Sequence, residues 1–246
     1  MTDATFHKQT ELEPTEPTLI EGLPGTGMVA SIAVDQITDQ LGLDRHGAIR
    51  SDAFPPVASF TDGRIQDTVR VYLGDNPDVM TLQSDVPIPQ DGFSALSGCV
   101  LEDLTEQYKR AIFLAGAPAQ SEEQRGDVIG VATTDSLKQE LVSANIDVKE
   151  ESGAVGGVTG KLVTACYHAD IPAVLLLVRT DPRLPDPKAA HSVIEDALEP
   201  LVKFDIDTDE LLDQAEGIQQ QKRQIAQQLQ EQSQQGETPQ SQSMFQ

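Results

Sequence analysis

The sequence predicts a three-layer α/β/α fold. A mostly parallel sheet with an added β-hairpin carries helices on both faces, and a C-terminal helix runs into a flexible tail. Three observations carry this expectation. Continuous apolar runs at 111–116 and 173–178 read as strands buried on both faces. Between such runs lie segments whose apolar residues recur at helical spacing. Glycine-rich breaks separate the two kinds, and this alternation places helices on the faces of a parallel sheet.

Residues 1–17 are polar, hold Pro14 and Pro17, and are expected to form a flexible lead-in. Leu19 and Ile20 open a short strand, which breaks at Gly22-Leu23-Pro24-Gly25-Thr26-Gly27. A helix follows through Val29, Ile32, Ala33, Ile37 and Leu41, with Gly42 as its stop. Asp62-Gly63 stands between two β-rich runs, 57–60 and 68–73, and predicts a hairpin. Residues 79–83 make another strand. The stretch 93–108 has helical spacing through Leu96, Val100, Leu101 and Leu104.

After the buried run at 111–116, a short strand is expected at 128–132 and a helix at 136–145. A glycine-rich loop, 153–160, precedes a helix at 162–168. The run at 173–178 is the strongest strand. The last helix of the domain spans 187–204, with Pro187 in its first turn and Val193, Ala197, Leu201 and Phe204 on one face. Pro200 should kink or split it. The domain is therefore expected over 18–204.

Composition changes after Phe204. Residues 214–246 hold 14 Gln and few large apolar side chains. Leu211, Ile218 and Ile225 are seven apart, with Ala215, Lys222 and Leu229 between them, which makes a weak heptad seam. An amphipathic Gln-rich helix is expected within 205–234, clearest from 208 to 230, with Asp207 as a cap. Residues 235–246 read as a flexible tail.

The charge excludes some functions. The chain carries 40 Asp+Glu against 17 Lys+Arg, a net charge of −23. The excess is spread along the whole length, as in proteins adapted to high salt, so it does not mark one binding face. Such a field repels phosphate backbones, so nucleic acid is not an expected partner. No apolar run approaches the roughly 20 residues that span a bilayer, and the N-terminal residues do not read as a signal peptide. Cys99 and Cys166 have no CxxC spacing and read as core thiols. Cytoplasm is the default compartment.

Motifs for chemistry are weak. Gly25-Thr26-Gly27-Met28-Val29-Ala30 fits GxGxxA between a strand and a helix, the turn that brings backbone N–H groups to a pyrophosphate. Pro24 removes one donor, and no following strand ends in the expected acid. A tight turn with close packing explains the same glycines. Gly160-Lys161 lacks the flanking residues of a P-loop, and Gly160 reads as a position whose φ only glycine tolerates. His7, His46, His168 and His191 have no zinc-ligand spacing, so neither metal nor cofactor is expected. Asp181, Asp186 and His191 follow the strongest strand, where α/β sheets bind ligands, but Asp186 is most simply a helix cap. No catalytic constellation emerges. The residues that would line a ligand site are Gly22, Pro24, Gly25, Gly27, Gly153, Gly156, Gly157 and Gly160.

The C-terminus carries the sharpest signal. Met244, Phe245 and Gln246 end a Gln/Ser stretch and have no core to join. An apolar residue, an aromatic ring and a free carboxylate form a compact ligand for a pocket that contains a cation.

Three segments, LIEGLPGTGMVA, SGAVGGVTGKL and RTDPRLPDPKAA, resemble the proteasome assembly chaperone family of archaea and bacteria over about 18–204. The resemblance implies an α/β/α fold, no established catalysis, homo-oligomers, and help in assembling proteasome α-subunits into rings. In proteasome activators and in some members of that family, a terminal hydrophobic–Tyr–any-residue motif enters a pocket between α-subunits. Met244-Phe245-Gln246 is similar, with Phe in place of Tyr. The expected partners are thus proteasome α-subunits, or the α-ring, and other copies of the chain. The rival reading is a ligase-like enzyme that binds a nucleotide or phosphometabolite through its glycine loops.

Overall fold

The computed structural model describes residues 3–11 and 15–235. In chain order, β1 (Ala4–Lys8) and β2 (Thr18–Gly22) lead into α1 (Val29–Gln40). The strands β3 (Asp44–Ser51), β4 (Ser59–Thr61), β5 (Arg64–Gln66), β6 (Val69–Asp75) and β7 (Asp78–Ser84) come next. Then follow α2 (Phe93–Glu102), β8 (Arg110–Pro118), β9 (Val128–Ala132), α3 (Asp135–Ser143) and β10 (Asp147–Val148). The chain continues through α4 (Gly157–His168), β11 (Ala173–Thr180), α5 (Pro187–Val193), α6 (Glu199–Val202) and α7 (Asp209–Gln235).

Nine strands form one sheet in the order β1-β3-β6-β7-β2-β8-β11-β9-β10. Its centre is parallel: β7, β2, β8 and β11 run the same way. Its wings bring in the antiparallel pairs, with β1, β3, β6 and β7 on one side and β9 against β11 on the other. The sheet is therefore mixed around a parallel core.

Alternation within the central strands sorts side chains between two cores. Ile20, Ile112, Leu114, Val174 and Leu176 face α1, α3, α5 and the start of α7. Leu19, Ala111, Phe113, Ala173 and Leu175 face α2 and α4. Register aligns the two sets across the strands: Ile20 lies beside Ile112, and Ile112 beside Val174. Apolar side chains on both faces are what make these strands read as continuous apolar runs.

Several expectations change. Residues 4–8 form a paired edge strand instead of a flexible lead-in. Phe6 stacks on His46 at 5.5 Å, and its N–H donates to Asp103 Oδ2 at 3.0 Å. A Cβ on Gly47 would lie 2.5 Å from the Phe6 ring, so glycine there makes room for β1. The β3 segment, Asp44–Ser51, is a strand that the sequence pattern does not predict. The hairpin turns at Asp62-Gly63 as expected, but it pairs Ser59–Thr61 with Arg64–Gln66 as a separate two-stranded sheet. The second run, 68–73, belongs to β6 in the main sheet.

The helix after β11 divides as Pro200 requires. Proline offers no N–H to the preceding turn, and a π-turn (Ile194–Leu198) separates α5 from α6. Val193, Ala197, Leu201 and Phe204 all reach one core. The cap at Asp186 holds: its side chain accepts from the Ala189 N–H. Asp207 Oδ1 accepts the Asp209 N–H at 2.9 Å at the start of α7.

Candidate functional site at the C-terminal edge of the sheet

Three of the segments singled out from the sequence meet beyond the C-terminal ends of β2, β8 and β11. The glycine-rich turn after β2 packs against the loop after β11. A Cβ on Gly27, which has φ +66°, would lie 2.1 Å from Thr180 Oγ1. The Gly27 carbonyl accepts the Asp186 N–H at 2.9 Å. Gly22 is equally constrained, since a Cβ there would meet Val34 Cβ at 2.5 Å. These two glycines serve packing between a turn, a strand end and a helix.

Asp186 organises the second segment. It is fully buried and meets Arg125 through two hydrogen bonds, Nη2 to Oδ1 at 2.6 Å and Nε to Oδ2 at 3.0 Å. Thr180 Oγ1 and the Asp181 N–H each donate to Oδ2 at 2.9 Å, and the Ala189 N–H donates to Oδ1 at 3.2 Å. Burial alone would raise this carboxyl. The Arg125 guanidinium and the backbone donors more than offset it and hold Asp186 below the ordinary range. Asp181 instead receives Lys222 Nζ from α7 at 2.5 Å. Lys222 and the Arg183 N–H lower Asp181 to about 2. His191 stands apart at 2.8 Å from Thr208 Oγ1, so Asp181, Asp186 and His191 form no acid–base cluster.

The third segment, 153–160, wraps into α4. The helix begins at Gly157, earlier than the 162–168 expected, and Gly160 lies inside it. A Cβ on Gly160 would meet the Val155 carbonyl oxygen at 2.2 Å, so close packing and not backbone φ selects glycine there. The positive φ of the loop belongs to Gly157, at +72°.

Between these segments lies a cavity of about 660 Å³. Pro24, Gly25, Gly153, Gly156 and Gly157 line it, while Gly22, Gly27 and Gly160 do not. Its walls are mostly aliphatic, from Leu114, Val131, Val155, Val158, Leu175 and Leu177, with Lys149 and Glu151 also at its boundary. Met244, Phe245 and Gln246 lie outside the described residues.

Sequence reasoning missed Glu21. It is fully buried behind the first turn of α4. Its carboxyl accepts the Leu23 N–H at 3.1 Å and the Leu114 N–H at 3.4 Å, and Thr159 Oγ1 lies 3.3 Å from both oxygens. Burial pushes Glu21 up to about 8, against the pull of those donors. An acid inside the apolar run Leu19-Ile20-Glu21 was the available signal. The thiols of Cys99 and Cys166 are buried, and burial raises both, that of Cys166 to about 11, as fits core residues. Among the described residues, no group of three or more His, Cys, Asp or Glu could hold a metal ion. No helix among them is long and apolar enough to cross a membrane.

A Methanocaldococcus jannaschii protein is 29% identical to this chain over 224 residues, 91% of each. Pyrococcus furiosus PbaA, described as an archaeal homolog of proteasome-assembly chaperone, superposes with a TM-score of 0.81 at 24% identity, covering 95% of this chain and 96% of that one. P. furiosus PbaB, described as an archaeal proteasome activator, superposes with a TM-score of 0.82 at 20% identity, covering 92% and 100%. At these identities the structural likeness shows the fold alone. A family model for the PAC2 family matches residues 19–226, and the chain belongs to that family.

Proposed function

We propose that this protein is a non-enzymatic factor in proteasome assembly or regulation, which binds proteasome α-subunits through Met244, Phe245 and Gln246. The observation that carries the reading is the pairing of a PAC2 body with a terminal apolar–aromatic–carboxylate tripeptide. PbaA and PbaB, whose folds this chain shares, are described in proteasome terms. Phe245 keeps the ring of the related tail motif and lacks its hydroxyl.

One tripeptide binds weakly. Several tails on one oligomer, each facing an equivalent pocket, gain avidity through their linkers. A homo-oligomer therefore belongs to this reading. The β4–β5 hairpin offers an apolar contact for it: Phe60 and Ile65 stand opposite each other and are 72% and 74% exposed. A cytoplasmic setting goes with such partners.

The test is retention on immobilised α-rings in molar KCl. The full chain should be retained, and a chain lacking residues 244–246 should pass through with its circular dichroism unchanged. Equal retention of the two overturns the tail as the anchor.

The cavity supports a second reading, a nucleotide or phosphometabolite site, because its volume falls in the range of ligand pockets, about 300–1,000 Å³. Its aliphatic walls suit a polyphosphate poorly. Calorimetry with ATP, AMP and NAD separates the readings, since saturable micromolar binding favours the enzyme.

A further inference from the structure

We infer that the cavity at the C-terminal edge of the sheet is a binding site for a medium-chain aliphatic monocarboxylate. Its chain lies against the ends of β8, β9 and β11, and its carboxylate meets Lys149. The inference goes beyond α-subunit binding and does not depend on it. It differs from the nucleotide reading in the chemistry of the ligand.

The sheet is covered unequally where this cavity lies. Along β11, Leu176 and Val178 are fully buried in the core beneath α1 and α5. Leu177, between them, points to the opposite face and is only half-buried. Register sets Ala115 of β8 beside Leu177 and Val131 of β9 beside Leu175, and Ala115 and Val131 are half-buried too. α4 runs back toward the start of β11, so its first turn stands at the end of that strand and leaves this gap open. Val155 and Val158 close the far side. The outcome is a concave aliphatic surface around about 660 Å³, within the range of about 300–1,000 Å³ usual for small-molecule sites.

The glycines keep that space clear. A Cβ on Gly25, Gly153 or Gly156 would meet nothing within 4 Å, and none of the three has a positive φ. Packing and backbone conformation therefore leave side chains possible at all three, yet all three positions in the lining are glycine. Gly116, also in the lining, differs: a Cβ there would lie 2.1 Å from the Thr26 carbonyl oxygen.

The polar groups of the wall are few, and they select one charge. Lys149 is the one cation among the described residues that line the cavity. Its backbone N–H donates to the Gly130 carbonyl at 3.0 Å, which fixes it at the edge of β9. Its ammonium pairs with Glu151, whose side chain is 79% exposed. An exposed pair of this kind is weak, so a carboxylate whose chain is buried takes the place of Glu151. Gly156 gives α4 no side-chain cap, and the first N–H groups of this twelve-residue helix add positive potential at the cavity. Glu21 is not in the lining, and its carboxyl is engaged by the Leu23 and Leu114 N–H groups and by Thr159. One weakly held cation beside an apolar wall fits a single carboxylate on a hydrocarbon chain better than a phosphate.

Calorimetry on the full chain in 1 M KCl, with hexanoate, octanoate and decanoate, tests this. One site per chain is expected, with affinity rising about fourfold per added methylene group until the chain fills the cavity. The net charge of −23 supplies the control, because adsorption on the acidic surface favours a cation. Decanoate should therefore bind at least tenfold more tightly than decylammonium, and also more tightly than 1-decanol. Lys149→Gln should weaken decanoate about fivefold, and Glu151→Gln, which removes the competing carboxylate, should tighten it. Gly156→Leu should fill the cavity and abolish binding with circular dichroism unchanged. Absence of saturable binding by decanoate overturns the inference. So does binding that none of the three substitutions alters, or decylammonium that binds as well as decanoate, either of which means surface adsorption. Equal binding of 1-decanol also overturns it and makes the cavity a site for neutral apolar molecules. None of these readouts involves α-rings, so this proposal and the tail reading fail separately.

Discussion

Two buried carboxyl groups near the cavity behave oppositely because their partners differ. Asp186 has a guanidinium and backbone N–H groups, so it stays ionised. Glu21 has two N–H groups and a hydroxyl, which do not offset its burial, and its folded value rises from 4.5 to about 8. The sign of the consequence follows from proton counting. Between those values folded Glu21 keeps a proton that the unfolded chain has released. Its contribution to stability is therefore fully present below pH 4.5, falls as pH rises, and levels off above about 8. The slope is about 1.4 kcal/mol per pH unit at most. Glu21→Gln keeps the size and an acceptor for Leu23, offers an amide to Thr159, and carries no proton to lose. Urea midpoints at pH 5 and pH 9 should diverge, with the native protein losing stability relative to the variant at the higher pH. Parallel behaviour of the two proteins shows that Glu21 is charged and solvated throughout.

At the scale of elements, α7 is held at two points. Leu211 is 2% exposed in the core, and Lys222 binds the largely buried Asp181. The heptad seam packs as far as that bridge, with Ala215, Ile218 and Lys222 half-buried, but Ile225 is 58% exposed. The helix thus lifts from the body after Lys222. Lys222→Met keeps most of the stem and removes the charge, leaving Asp181 largely buried without its ammonium partner. Amides at 212–222 should then exchange faster, while those of β8 and β11 stay protected. Unchanged exchange in α7 assigns its docking to Leu211 alone. Because Asp181 is held at about 2, the bridge persists above the ordinary carboxylate range and is lost as pH falls through that value. Legibility varied by element for physical reasons. The strands of the parallel centre are buried on both faces, so β8 and β11 show as unbroken apolar runs. The antiparallel wing does not: β3 carries Asp44, Arg45, His46 and Gly47, has a bulge between Arg45 and Gly47, and gets its register from β1 and β6. β1 depends on Phe6 finding His46, a contact 40 residues away in sequence. Of the glycines marked for a ligand, Gly25, Gly153, Gly156 and Gly157 gather around one cavity. Gly22, Gly27 and Gly160 belong to close contacts that only the packed structure reveals.

For the whole molecule, charge is the dominant unbalanced quantity. The 40 acids exceed the 17 bases by 23. Three of the paired bases are themselves largely buried, Arg70 with Asp85, Arg110 with Glu140, and Arg125 with Asp186. The surplus lies on surfaces throughout the domain and along α7, so folding gathers like charges that the unfolded chain keeps apart. Added salt should relieve this repulsion. The Debye length falls from about 10 Å at 0.1 M to about 3 Å at 1 M, below the spacing of most surface carboxylates. Stability should rise steeply at low KCl and flatten near 1 M. For a chain of this size, a gain of about 2 kcal/mol raises Tm by about 4–8 °C. The buried Arg125–Asp186 bridge is screened far less than the surface, so it does not cancel the gain. Thermal unfolding in KCl and in K2SO4 at matched ionic strength separates screening from preferential exclusion. Screening gives coincident curves, whereas exclusion gives a larger and continuing effect of sulfate. A Tm that is flat in KCl up to 1 M means that the carboxylates do not repel one another appreciably in the folded state, and the high-salt reading of the composition then fails.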